Sequence, residues 1–257
     1  MEVKQVNRIL LDRSNKEIID IKKDTNILIK NKLNDRYIFN VYDANLNILM
    51  VSYNNKKIDY EINVYGGSVS FNNICYCSRG FSIYAKLNKK DSNITICNSL
   101  ISKNKENCNI RVDHNCPYTN SNIYNNGITL NDASITFDVT SYIPIRSVKC
   151  KTNQDSKIVT MNKENNNCIN PILLIDEYDS EARHSAFIGN FKESELFYLM
   201  SRGLNRNEAS KLLTNGLLIG TLDIDYDEKE LLKAKFDDEW RWYEWILKKT
   251  FQCYLVI

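Results

Sequence analysis

The feature that most constrains this chain is a long succession of short β-type runs in residues 1–190. The runs are rich in Ile, Val, Tyr and Phe, and polar turn residues separate them, with no helical periodicity in between. Clear examples are Ile27–Ile29, Ile48–Val51, Ile94–Ile96 and Ile135–Val139. Many short strands indicate a sandwich, a barrel or a β-solenoid, and the pattern alone leaves all three open.

The pattern changes after Gly189, where a helical period begins. It predicts a first helix over Lys192–Arg202 and a second helix that starts from Asn205 as N-cap, with Glu208 placed to complete a capping box. The apolar face of the second helix is predicted to comprise Ala209, Leu212, Leu213, Gly216 and Leu217.

We therefore expect two domains, a β-core over residues 1–190 and a helical subdomain over residues 191–257. The tail of the second domain holds Trp240, Trp242 and Trp245. These tryptophans either seal the helical subdomain against the β-core or form a docking face for a partner.

Charge and hydropathy exclude several classes of function. The net charge is only +2, which is too small for the basic field of a dedicated nucleic-acid binder. No apolar run reaches the roughly 20 residues of a membrane span, and the start of the chain does not resemble a signal peptide. We expect no nucleic-acid partner, no membrane partner and a cytoplasmic location, with a plastid stroma as the other possibility.

The eight cysteines do not form a recognisable metal or disulfide motif. Cys75 and Cys77 would share one face of a strand, but no Cys-x-x-Cys pair occurs. A chain of this length does not need a disulfide framework, so we expect reduced thiols, most of them small buried residues.

Two segments of the chain contain ordered series of motif residues. The first is Asp176–Gly189 with the following Glu195–Leu204 and Glu208–Leu213, and the second is Val112–Ser121, followed by Tyr124 and Gly127. The first resembles the carboxy-terminal signature of the SufB/SufD family of iron-sulfur cluster assembly proteins, and the second is similar to a coil of SufD.

The resemblance implies a right-handed parallel β-helix core with a small C-terminal α-helical subdomain. It also implies a scaffold subunit of a Suf-type complex and no enzymatic turnover. In the family, SufB and SufD pair through their β-helices, their helical subdomains hold the ATPase SufC, and a transient iron-sulfur cluster forms at the subunit interface. The partners would be a SufC-type ATPase and a second SufB/SufD subunit, identical or paralogous.

The resemblance also points to a metal site, because His184 occupies the position of the family's histidine. We expect His184 to be an iron or cluster ligand, and His114 to hydrogen-bond a neighbouring coil. Two positions depart from SufB, since Gln154 stands where SufB has a cysteine and Ser185 where SufB has a glutamate. The chain is in this respect closer to SufD.

Cys150 and Cys168 are further candidate metal ligands, on spacing alone. With 16 to 20 residues per β-helix coil, Cys150, Cys168 and His184 would follow one another at intervals of one coil and stack on one face. The opposing interpretation is that both cysteines are unrelated buried or turn residues.

Two alternatives to the scaffold function stay open. One is a degenerate family member with a purely structural role, which Gln154 and Ser185 favour. The other is a β-helix protein that acts on carbohydrate, although clustered carboxylates are not evident. The sequence has no phosphate-binding loop, and Tyr65–Ser68 is interpreted as a tight turn between strands, so ATP hydrolysis would come from a partner.

Overall fold

The computed structural model describes residues 7–11, 18–30, 35–52, 57–76, 79–130, 132–161, 166–234 and 236. The chain divides into two compact units, 1–189 and 190–257, which we describe separately. No helix within the described ranges is long and apolar enough to span a membrane.

The first unit consists of thirteen strands. They are β1 (Asn7–Leu11), β2 (Ile18–Ile21), β3 (Thr25–Lys30), β4 (Arg36–Ser52), β5 (Ile58–Tyr76), β6 (Gly80–Leu87), β7 (Asn93–Ser102), β8 (Lys105–His114), β9 (Asn120–Thr129), β10 (Ser134–Ile143), β11 (Lys151–Thr160), β12 (Cys168–Ile175) and β13 (Glu181–Gly189).

These strands pair in parallel and form two rows that share β5. One row has the order β5-β6-β8-β10-β12, and the other has the order β5-β7-β9-β11-β13. Successive strands alternate between the rows, so one coil of the chain adds one strand to each. This arrangement is a β-solenoid, and the prediction of a mainly parallel β fold is confirmed.

Alternation of apolar and polar residues explains why the strands stack in this way. In β10, Ile135, Phe137 and Val139 are buried, while the residues between them are half-exposed. The same alternation in the other strands produces one continuous apolar core that extends from Ile21 to Ile158. Each coil therefore buries its apolar face against the coils before and after it.

The Gly66–Gly67 corner differs from the predicted tight turn. The structure has one continuous strand, β5, that bends at these two glycines and passes from one row to the other. Gly67 has a φ of +89°, and a Cβ at this position would lie 2.0 Å from the Ala44 carbonyl oxygen. Only glycine fits such a close approach between coils.

Coil length increases along the chain, and this corrects the expected 16 to 20 residues. Hydrogen-bonded residues on adjacent coils are 20 positions apart for Asn40 and Asp20. They are 32 positions apart for Asn170 and Asp138. The later coils are longer because the turns between their strands are longer.

The second unit begins with α1 (Glu193–Ser201) and α2 (Arg206–Gly220), and residues 226–234 are also helical. The predicted capping box is confirmed, since the Asn205 side chain accepts a hydrogen bond from the Glu208 N–H at 3.0 Å and the Asn205 N–H donates to Glu208 Oε2 at 2.8 Å. The predicted apolar face of α2 is only partly right. Ala209 is buried, but Leu212 is exposed, and Leu218 and Ile219 are buried instead.

The predicted tryptophan surface of Trp240, Trp242 and Trp245 lies outside the described residues.

Candidate functional site at the last coil

The last coil of the solenoid is formed by β12 and β13, which end the two rows of strands. Among the described strands, each of them pairs on one side only. Every residue of β13 is at least partly exposed, and so is every residue of β12. The backbone edges and the inner side chains of this coil are therefore accessible.

His184 lies in this coil, directly opposite Gln154 in the pairing of β13 with β11. Parallel neighbours in register point to the same face of a sheet, and Gln154 faces the interior with 1% of its surface exposed. His184 thus belongs to the inner face of the last coil, at the end of the interior, and it is exposed.

Gln154 lies directly beneath His184, one strand back in the same row. Its Nε2 donates to Ser141 Oγ at 2.9 Å and to the Ile172 carbonyl oxygen at 3.1 Å. These bonds connect β11 to β10 and β12 of the opposite row. Its Oε1 is buried without a hydrogen-bond partner in the part of the chain that the structure describes. A free acceptor therefore lies one strand away from the imidazole.

The neighbouring pair, Asp155 and Ser185, faces the other side of the same two strands. Ser185 Oγ donates to Asp155 Oδ1 at 2.6 Å. Ser185 is one of the two positions that depart from SufB. The other, Gln154, lies one residue away on β11 and faces the interior.

The structure separates the three candidate metal ligands. Cys150 precedes β11, and its carbonyl accepts a hydrogen bond from the Glu181 N–H, so His184 lies about 10 Å further along the strand direction. Cys168 begins β12, in the other row, with its thiol donating to Asn170 Oδ1 at 3.3 Å. The stacking expected from spacing is wrong, because coils here span about twice the assumed step.

Within the described residues, no three His, Cys, Asp or Glu side chains form a group that could hold a metal ion. Ligand roles for His184, Cys150 and Cys168 therefore stay predictions.

A buried polar network extends from His114 to Gln154. The His114 ring is hydrogen-bonded to Thr119 Oγ1 through Nδ1 and to Ser121 Oγ through Nε2, each at 2.8 Å. Ser121 donates to Thr152, and both Thr152 and Gln154 donate to Ser141. Sequence reasoning predicted a hydrogen-bonding His114 but missed the rest of this network, although the polar residues at alternate positions of β9 and β11 are its signal.

His114, at one end of this network, is fully buried. Burial lowers its pKa from 6.5 to about 4, because the charged imidazolium would lose its hydration. The neutral form dominates at physiological pH, so His114 acts as a structural hydrogen-bonding group.

A groove of about 420 Å³ lies on the outer face of β9, β11 and β13. The groove residues are polar or charged and include Asn122, Asn153, Lys151, Glu181 and Arg183. Lys151 Nζ pairs with Glu181 Oε1 at 2.8 Å, which places the charges of this groove beside the exposed edge of β13.

Comparison with known proteins identifies a family that matches most of the described strands. The family model for the SufBD core domain of the SUF system for FeS cluster assembly matches residues 44–217, which is more than half of the chain. The match includes β5 to β13, α1 and most of α2.

Individual relatives have the same assignment. SufD of Bacillus subtilis is 32% identical over 132 residues, which cover 50% of this chain and 30% of that protein. A SufBD family protein of Pyrococcus horikoshii is 49% identical over 47 residues, 18% of this chain and 10% of that protein. A SufBD family protein of Staphylococcus haemolyticus is 23% identical over 105 residues, 41% of this chain and 23% of that protein.

The matched segments thus span less than a third of each of these relatives. The family match, the parallel β-solenoid and the histidine in its last coil lead to one conclusion: the chain belongs to the SufB/SufD family, whose role is iron-sulfur cluster assembly.

Proposed function

We propose that this chain is a non-enzymatic scaffold subunit of a cytoplasmic Suf-type complex, in which a transient iron-sulfur cluster is assembled against its last coil. The observation that carries the proposal is the register of His184 with Gln154 at the accessible end of the interior. The cluster is cargo in this account, and His184 provides the imidazole that contacts it.

The edges of β12 and β13 provide a surface for a second SufB/SufD subunit. Parallel strands with one free edge can accept another strand through main-chain hydrogen bonds. Ile172 and Leu174 are exposed on β12, and Phe187 and Ile188 are exposed on β13. A partner that continues either row would bury these apolar side chains and would bring its own residues close to His184.

The partner also completes the ligand set in this account. Gln154 is an amide and cannot serve as the soft thiolate ligand that iron-sulfur clusters favour. Thiolate ligands would therefore come from the second subunit, while this chain contributes His184 and the sheet edge.

The helical unit is the proposed docking surface for a SufC-type ATPase. On α1, Phe197 is 73% exposed and Tyr198 is 57% exposed, and on α2 Leu212 is 51% exposed. Exposed aromatic residues are frequent anchors of protein interfaces. Since the chain has no phosphate-binding loop, ATP hydrolysis by the partner would supply the energy.

Anaerobic reconstitution tests this function. The purified chain, alone and with a SufC-type ATPase and a SufB-type subunit, is incubated with iron and sulfide, and bound iron and cluster absorbance are measured. His184→Ala should lower the cluster content of the complex severalfold without lowering ATPase binding. Arg183→Ala is the matched control, because it changes an exposed neighbour on the opposite face of the same strand.

A purely structural role is the second candidate, favoured by Gln154 and Ser185 at the positions where SufB carries its reactive residues. This role predicts equal cluster content in wild type and His184→Ala, with the assembled complex intact. Such an outcome would contradict the ligand role of His184 and leave the chain as a framework for its partners.

A further inference from the structure

Two cysteines meet at the corner between the two rows of strands, on coils that precede the last one. Cys116 lies in the turn between β8 and β9, and Cys150 lies at the end of the turn between β10 and β11. The Cys150 thiol donates to the Cys116 carbonyl oxygen at 3.3 Å, although the two residues are 34 positions apart in the chain.

Standard bond lengths set an upper limit on the distance between Cys150 Sγ and Cys116 Cα. The carbonyl oxygen is two bonds from its own Cα, so Cys150 Sγ lies within about 6 Å of Cys116 Cα. The sulfur atoms of a disulfide are about 2 Å apart. Bond formation therefore requires the Cys116 side chain to rotate toward Cys150 Sγ and its turn to shift.

Backbone hydrogen bonds hold the two turns together. The Tyr118 N–H donates to the Val148 carbonyl oxygen at 2.9 Å, and the Lys151 N–H donates to the Thr119 carbonyl oxygen at 3.0 Å. The stacking of adjacent coils therefore keeps the two cysteines side by side as free thiols before any oxidation.

The two thiols differ in their access to solvent. Cys116 is half-exposed, whereas Cys150 is fully buried and hydrogen-bonded to Thr119 Oγ1 at 3.1 Å. Burial, and after it the nearby Cys150 thiol, raises the pKa of Cys116, so we expect its oxidation by peroxide to be slow at neutral pH. Cys116 is the thiol of the pair that a peroxide in solution can reach, and Cys150 is placed beside it to react with its oxidised form.

We propose that Cys116 and Cys150 form a reversible oxidation site, in which a peroxide converts the two thiols into an intramolecular disulfide. The Cys116 sulfur attacks one peroxide oxygen, the O–O bond breaks, and Cys116 sulfenic acid and one water are formed. The Cys150 thiol then attacks the sulfenic sulfur and loses its proton, and the hydroxyl leaves as a second water. Two thiols are oxidised by two electrons, hydrogen peroxide is reduced to two waters, and an added dithiol reverses the change.

The bond would alter the buried polar network. Cys150 would exchange its hydrogen bond with Thr119 for the bond to Cys116, and Thr119 is the residue that holds the His114 ring. The proposal does not depend on a metal role for any residue, and an oxidised Cys150 would be unable to act as a metal ligand.

Peptide mapping of the full chain tests the site. The reduced protein is treated with hydrogen peroxide in anaerobic buffer, free thiols are blocked by alkylation, and the digest is analysed by mass spectrometry. We expect loss of two alkylatable thiols per chain, a mass decrease of about 2 Da and one dominant linked peptide that joins Cys116 to Cys150. Dithiol treatment should restore both thiols.

Serine variants provide the controls. Cys168→Ser removes a half-exposed thiol elsewhere and should leave the linked peptide unchanged, whereas Cys150→Ser should abolish it and leave Cys116 as sulfenic or sulfinic acid. The peptide map of the oxidised wild-type protein tests the proposal by itself, even if a variant fails to fold. Cys116 that stays reduced, or that links to other cysteines in comparable yield, would overturn the proposal.

Discussion

Gln154 and His184 are direct neighbours on β11 and β13, and Gln154 closes the interior of the solenoid beneath the exposed imidazole. The amide is held by Ser141 and Ile172, so its position is fixed before any cluster binds. The proposed cluster-binding residue and the residue that supports it therefore lie together at the last coil of the solenoid.

Gln154→Cys should add a thiol beside His184 and raise the iron and sulfide bound by the chain alone at least severalfold. The reason is that a soft thiolate and an imidazole on adjacent strands provide two ligands within reach of one iron. Bound iron and sulfide after anaerobic reconstitution measure the effect. Asp155→Cys, on the opposite face, is the control, and equal gains in both variants would contradict the geometry.

His114 should make stability depend on pH. Its folded pKa of about 4 lies below the 6.5 of the exposed ring, so the unfolded chain binds the proton more readily. The stabilisation that the neutral, buried ring provides is complete above pH 6.5 and is lost as the pH falls toward 4. Between pH 7 and pH 5 the free energy of unfolding should fall by about 2 kcal/mol.

Urea unfolding of wild type and His114→Asn at pH 7 and pH 5 measures this dependence. The variant should be less stable at pH 7, because its network is broken, yet should lose less stability on acidification. An identical pH dependence in both proteins would show that other groups are responsible.

A buried ladder of asparagines should matter for folding. Asn73 donates to Asn98, Asn98 to Asn125 and Asn125 to Ser156, at 3.1, 2.8 and 2.9 Å. Asn98→Ala breaks the ladder in two places and leaves buried polar groups unpaired. We expect a loss of about 2 to 4 kcal/mol in the free energy of unfolding.

Asn115→Ala is the matched control for the ladder, since Asn115 donates to Asn88 at 2.8 Å in an exposed asparagine pair. Its effect should stay below about 1 kcal/mol. Similar losses for the two variants in urea unfolding would mean that burial does not set the cost.

Charge on the last coil should block pairing with a second subunit. Ile172→Lys and Phe187→Asp place charges on the two exposed edge strands, where a partner would have to desolvate them. Size-exclusion chromatography with light scattering should report a shift to the single chain, with the melting temperature unchanged within about 2 °C. Tyr178→Lys, in an exposed turn, should leave association intact.

Local features of the fold were predictable from sequence because they depend on nearby residues. The alternation in β10 identifies its buried face, and the Asn205 and Glu208 pair identifies the start of α2. The choice between solenoid, sandwich and barrel depends on long-range pairing, so only the resemblance favoured the solenoid. The capping pair did not identify the buried face of α2, where overlapping apolar positions allow more than one stripe.

The candidate site was predicted in part. Resemblance identified His184 and the replaced position Gln154, and the register of β11 with β13 brings them together. The cysteine arrangement was not predictable, because coil length decides which residues stack and it varies along the chain. A step of 18 residues from Cys150 to Cys168 crosses to the other row, whereas the 30 residues between Asp155 and Ser185 correspond to one coil.

The central claim is that His184 contacts the cluster, and pulsed electron paramagnetic resonance tests it most directly. The complex is reconstituted with this chain carrying heavy-nitrogen-labelled histidine, and the cluster is reduced to a paramagnetic state. The account predicts a coupling to the labelled nitrogen that disappears in His184→Ala and persists in His114→Asn. A cluster with no histidine nitrogen coupling, or with a coupling that survives His184→Ala, would contradict it.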